Sequence, residues 1–146
     1  RRREVERFIH VDSRDFPGLL KSKYEIIFGS SIPIQDYNNV IKLELKAFVS
    51  DKPDGEDYVF FKIKNVDGKV DSTSTIQDAS TVCYFEPTGK KPIYFGGNVF
   101  EFNPPIAKLS KLNIDIVKQD NTYCDINSTK TQSFLLKITY IEGNLY

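Results

Sequence analysis

The stretch Val40-Ile41-Lys42-Leu43-Glu44-Leu45-Lys46-Ala47-Phe48-Val49 alternates apolar and charged side chains along a full strand length. Ile41, Leu43, Leu45 and Ala47 make one face, and Lys42, Glu44 and Lys46 make the other. A period of two over this length predicts a strand in a sheet with one buried side. Sliding the register by one residue would bury the charged face, at a cost of several kcal/mol or more in total, so the pattern also resists slippage.

The rest of the chain repeats this grammar. Strand-like runs are expected at about Arg7–Ser13, Ser22–Phe28, Asp57–Asn65, Thr81–Glu86, Ile93–Phe102, Leu112–Lys118 and Ser133–Ile141. Turn residues separate them: Phe16-Pro17-Gly18, Pro53-Asp54-Gly55 and Asp67-Gly68. Gly96-Gly97 reads as a bulge, and Asn103-Pro104-Pro105 as a stop to the sixth strand. Ile106, Leu109 and Leu112 leave room for one helical turn, and no longer helix is expected. The fold class that follows is all-β: an eight-stranded antiparallel β-sandwich. Its long crossing loops suit a single jelly roll better than an immunoglobulin-like sandwich, whose usual core Trp is absent. Residues 1–6 read as an N-terminal basic arm and residues 7–146 as one domain, a size at which a core can be buried without disulfides or metals. The 11 Phe and 8 Tyr supply aromatic filler for that core.

Charge narrows the function. Twenty basic and twenty acidic residues cancel, so no global field draws polyanions, which argues against nucleic acid as the main partner. The exception is Arg1, Arg2, Arg3 and Arg7, four arginines in seven residues, which could lie across a neighbouring subunit. No segment approaches 18 consecutive apolar residues, so no membrane span is expected. Cys83 and Cys124 lack zinc-ligand spacing and read as reduced thiols, with a single bridge as the alternative.

A catalytic apparatus is not expected. The sole histidine, His10, shares a strand face with Asp12, but no Gly-x-Ser-x-Gly elbow accompanies them, and two ligands fall short of a zinc site. The acidic run Asp51–Asp57 lacks the ligand spacing of a calcium loop and reads as a hairpin turn. No cofactor and no small-molecule substrate are expected. Asn127-Ser128-Thr129 is a formal glycosylation sequon of low weight. Tyr58 and Phe60 fall on the outer face of the fourth strand, and with Val117, Leu135 and Ile141 they suggest that parts of the outer faces are covered. A sandwich that binds carbohydrate or a receptor, with Tyr58, Tyr94 and Tyr123 stacking on sugars, is one alternative function.

A resemblance gives the other. Phe8-Ile9-His10-Val11-Asp12-Ser13-Arg14-Asp15 resembles the "(I/V)xVDSRDR" start of small jelly-roll capsid proteins of nucleocytoplasmic large DNA viruses. Asn39-Val40-Ile41-Lys42-Leu43-Glu44-Leu45 is similar to that family's early "V-x-x-I-x-L" strand. The stretch from Phe102 to Ile116 is similar to its "P-x-x-x-L-x-x-L-x-I-x-I" segment. Two departures stand out: Phe16 replaces the second Arg of the opening motif, and Gln119-Asp120-Asn121 lacks the usual Gly. The resemblance implies a structural protein of the virion, most simply the penton subunit, a homopentamer closing a fivefold vertex beside major and minor capsid proteins. A minor capsid protein beneath the major shell is the near alternative. Arg1, Arg2, Arg3, Arg7, Arg14, Leu145 and Tyr146 are the candidate assembly contacts.

Overall fold

The computed structural model describes residues 3–30, 36–88, 92–95 (backbone only) and 98–142. Two antiparallel sheets pack face to face. The first holds β1 (Arg3–Asp12), β9 (Gln132–Glu142), β3 (Tyr37–Ser50) and β7 (Val99–Leu109), in the order β1-β9-β3-β7. The second holds β2 (Lys23–Ile27), β8 (Lys111–Val117), β4 (Tyr58–Ile63), β5 (Thr81–Phe85) and β6 (Pro92–Phe95), in the order β2-β8-β4-β5-β6. A 3-10 turn, Ser13–Asp15, follows β1.

Alternation selects the buried faces. Ile9 and Val11, Tyr24 and Ile26, Val59, Phe61 and Ile63, Leu112, Ile114 and Ile116, and Phe134, Leu136 and Ile138 all point between the sheets, as the sequence pattern predicts. Aromatic rings cross the interface in a continuous row of edge-to-face and tilted contacts. It runs from Phe16 to Tyr24 (5.7 Å), Phe134 (5.3 Å), Phe61 (5.1 Å), Phe48 (5.9 Å) and Phe85 (6.3 Å). Successive rings from Tyr24 onward come from opposite sheets, so the row ties the layers together beyond simple area burial.

Three local expectations need correction. The inward face of β3 is Val40, Leu43, Leu45 and Phe48, while Ile41 is half-buried and Ala47 exposed. Against β9, Val40 and Lys42 face Tyr140 and Thr139, and Leu45 and Ala47 face Leu136 and Leu135. Ile41 and Lys46 are therefore the extra residues of two β-bulges, and each bulge flips the parity of the residues beyond it. The expected inward phase holds only between them, at Leu43 and Leu45, and beyond Lys46 alternation resumes in the opposite phase with Phe48 and Ser50 inward.

The expected sixth strand, Ile93–Phe102, is divided into β6 and β7 on different sheets, so the eight sequence runs correspond to nine strands among the described residues. Nor do Pro104 and Pro105 end β7, which runs on to Leu109, leaving no helical turn there. Two conditions admit the prolines. β7 is an edge strand, and its pairing with β3 jumps from Glu101↔Lys42 to Ile106↔Val40, so the prolines sit in an irregularity where no ladder bond is required.

Third, the basic arm expected over residues 1–6 is strand from Arg3 onward. Arg3–Glu6 pair with Thr139–Glu142 of β9, because Val5 and the preceding residues extend the same two-residue period. Gly96-Gly97 lies outside the described residues.

The outer face of the second sheet is covered by the chain itself. The β4–β5 connection folds back as a strap closed by the Val70↔Ala79 bridge. Phe60, Ile76, Ala79 and Val117 form a small second core beneath it, flanked by Tyr58, Val70, Val82 and Tyr123. The outward aromatics of β4 thus find their cover within the chain. Lys69 fastens the strap to the other sheet, donating from Nζ to the Val99 carbonyl at 2.9 Å and lying 5.2 Å from the Phe100 ring centre.

Both cysteines are free and buried. Burial pushes the Cys83 thiol up to about 12, and burial likewise raises Cys124. Thiolate, the reactive form, is then scarce and inaccessible. A disulfide-exchange reagent at pH 8 is expected to label neither residue in the folded protein and both in denaturant. Labelling of either at the rate of a free thiol under native conditions would contradict this placement.

Candidate assembly surface

The segment that follows β1 is a corner built on one carboxylate. Asp12 caps the 3-10 turn, accepting from the Arg14 backbone N–H at 2.9 Å. The Arg14 guanidinium returns to the same group, with Nε 3.0 Å from Oδ1 and Nη2 2.6 Å from Oδ2. This two-pronged geometry is the strong form of an Arg–carboxylate pair. Asp12 is buried while the Arg14 side chain remains largely in solvent. Ser13, also buried, accepts from the Gln132 N–H at 3.0 Å and so pins the corner to the start of β9.

The hydrogen bonds from Arg14 hold the Asp12 carboxyl at about 2, below its ordinary 3.8, against the opposing effect of burial. A carboxyl whose folded value is depressed stabilises the fold fully above its ordinary value, and that stability is lost as pH falls through the folded value. The shift corresponds to about 2 kcal/mol as an upper figure. In urea titrations, the stability gap between the native protein and Asp12→Asn is expected to be largest at pH 5–7 and to shrink by about that amount near pH 2. A gap independent of pH would remove Asp12 from this role.

The other candidate contacts lie elsewhere. Arg3 pairs with Glu142 at 2.6 Å on the surface, an exposed bridge worth at most about 1 kcal/mol. Arg7 lines an open groove with Asp36, Tyr37, Tyr140 and Glu142. Burial raises the Tyr37 phenol there, and the Arg7 guanidinium opposes that rise. Arg3 and Arg7 thus share one end of the sandwich. Arg14 sits beyond the far end of β1, roughly 30 Å along the strand from Arg3 and roughly half that distance from Arg7, at about 3.3 Å per residue. Arg1, Arg2, Leu145 and Tyr146 lie outside the described residues.

Two features of this surface escape a residue-by-residue reading. The outer face of the first sheet carries a ladder of opposite charges, Glu6 with Lys137 at 2.9 Å and Glu44 with Lys46 at 3.3 Å. Beside it, Phe8 and Val49 are about half exposed. Strand register places Leu135 opposite His10 on β1 and Ala47 on β3, so apolar groups of three strands form one strip towards the corner. Alternation identifies Phe8 as outward, but only the β3 bulge turns Ala47 and Val49 to the same face.

His10 is exposed on this face, while Asp12 is committed to Arg14, so the two do not form a catalytic pair. Among the described residues, no group of three or more His, Cys, Asp or Glu is placed to hold a metal ion. No helix of the described residues is long and apolar enough to cross a membrane. Of the expected sugar-stacking aromatics, Tyr58 packs edge-on against Phe60 (5.6 Å) and Tyr123 donates to Asp115 at 3.3 Å, while the Tyr94 side chain lies outside the described residues. Comparison with protein-family models and with curated proteins finds no match.

Proposed function

We propose that this chain is a single jelly roll that serves as a structural subunit of a viral capsid, with the penton of the fivefold vertex as the specific position. The observation that carries the reading is the nesting of strand pairs: β1 with β9, β2 with β8, β3 with β7, and β4 with β5. Such nesting is what results when one long antiparallel ribbon is rolled into two facing sheets, the arrangement of a jelly roll with two Greek keys. β6 is an added edge strand on the second sheet. The capsid resemblance of the segment ending in Ser13-Arg14-Asp15 falls on the first strand of that ribbon and its corner.

The surface supports the same reading. Leu20, 71% exposed on the β1–β2 connection, the Phe8–Val49 strip and Ile27 on the β2 edge are apolar groups that an assembling subunit would cover. A ring requires a heterologous contact, one face of each copy against a different face of the next, and closure removes both from solvent. Sedimentation velocity with negative-stain imaging of the purified chain is expected to reveal five-membered rings, and proteomics of purified particles to find the chain there. A monomer throughout the micromolar range, together with absence from particles, would overturn the proposal.

A further inference from the structure

We infer that β1 is a docking edge for a second copy of this chain, whose own β1 pairs with it antiparallel, so that the two first sheets run on as one across a twofold axis. β1 lies at the edge of the first sheet and pairs only with β9. Its ten residues contain no Gly or Pro, and its register is unbroken from Arg3↔Glu142 to Asp12↔Ser133. Among the described residues, nothing bonds to the outer side of its backbone. The other three edges are blunted by the usual devices. β7 carries Pro104 and Pro105 in a register irregularity. β2 has five residues, and Ile27 at its end is already engaged. β6 has four residues and starts with Pro92. Among these edges, β1 alone presents a long row of unpaired N–H and C=O groups, which is a template for an added strand.

The sequence of the strand selects its own copy as the occupant. Antiparallel pairing keeps both sheet faces continuous only when the twofold axis passes through a residue position, because a half-step turns inward groups outward. Centring on Val5 sets Glu4 opposite Glu6, and centring on Glu6 or Arg7 sets that charge opposite itself, each a like-charge pair. Centring on Phe8 avoids these conflicts. The half-exposed Phe8 ring then meets its counterpart on the axis. Glu6 faces His10 on the outer side, and Val5 faces Val11 on the inner side. Glu4 is exposed and has no ion-pair partner among the described residues. It comes opposite Asp12, whose carboxylate is taken by Arg14. The Arg14 side chain is 73% exposed there and offers its free side to Glu4. The edge is thus complementary to itself over residues 4–12, and every match off the axis occurs twice. The contact closes on itself and leaves Leu20 and Ile27 for other neighbours.

The contact stands independently of the capsid reading and is tested on the isolated chain. Sedimentation velocity is expected to reveal a concentration-dependent pairing with a micromolar dissociation constant, as suits a narrow interface. Phe8→Lys places two ammonium groups on the axis, and Phe8→Asp two carboxylates. Each variant alone is expected to pair at least about tenfold more weakly, and an equimolar mixture to recover the pairing as a heterodimer. Phe8→Cys treated with a short bis-maleimide is expected to link copies two by two. Glu4→Cys, which the register sets about 26 Å from its own counterpart, is expected to stay unlinked. Cys83 and Cys124 are buried, so the native chain serves as the unlinked control. Rings of the native chain in which Phe8→Cys stays unlinked would overturn this inference and leave the ring intact, whereas linked pairs without rings would support it and count against the ring. Pairing unmoved by either charged Phe8 variant, no recovery in the mixture, or linking at Glu4→Cys as fast as at Phe8→Cys would each overturn it.

Discussion

Replacing Phe61 with Ala is expected to destabilise the protein by about 3–5 kcal/mol, the range for removing a fully buried aromatic side chain. Phe61 is 0% exposed and occupies the centre of the aromatic row, touching Phe134 on one side and Phe48 on the other. The loss combines the transfer free energy of the ring with the cavity left behind, and two edge-to-face contacts go with it. Strands surround the site on both sheets, so collapse cannot fill the gap. Urea unfolding should show a lowered midpoint with a nearly unchanged slope. Phe61→Leu should retain more than half of the lost stability, because volume is largely kept. A loss below about 1 kcal/mol for the Ala variant would show that the row contributes no more than an exposed residue.

Gly68→Ala is the second. A Cβ built at Gly68 would lie 1.9 Å from the Asp78 carbonyl oxygen and 2.4 Å from its Cα. Both are backbone atoms of the opposite leg of the strap and cannot rotate away. The two legs must separate, which breaks the Lys69 N–H and Val70 N–H bonds to the Ala79 carbonyl, each 3.0 Å. The expected cost is about 1–3 kcal/mol, typical of overpacking, with the main sandwich still folded. The diagnostic readout is location. Dye binding to newly exposed apolar surface should rise, and amide protection should fall at residues 68–79 and on the outer side of β4, as Phe60 and Val117 lose cover. Protection lost uniformly across both sheets would mean that the strap is not a separable unit.

Legibility in the sequence followed the range of the interaction responsible. The inward positions of β1, β2, β4, β8 and β9 could be read directly, because each is set by a local period of two acting on a half-buried strand. The bulges at Ile41 and Lys46 could not, since a bulge is a mismatch between two strands, and neither strand alone records it. Pro104 and Pro105 misled because a proline's cost depends on whether its missing N–H faces a neighbour, which is settled only by strand order. That parts of the outer faces are covered was legible from Tyr58 and Phe60, but the cover itself was not, because the polar composition of residues 71–80 hides Ile76 and Ala79, the two residues that seal it.

The amino-acid sequence by itself therefore determined that this protein is all-β, which residues face inward along most strands, and that charge offers no general hold on polyanions. These depend on side-chain chemistry and local backbone geometry, which travel with the chain. Tertiary structure alone decided the nesting of the strand pairs, the aromatic row, the self-covered outer sheet and the buried hydrogen bonds of Gln132. Each arises where residues distant in the chain meet: Tyr24 and Gln132 lie 108 positions apart, and Ser13 and Gln132 119. Burial and hydrogen-bond satisfaction are properties of such meetings, so they exist only once the sheets have closed on one another.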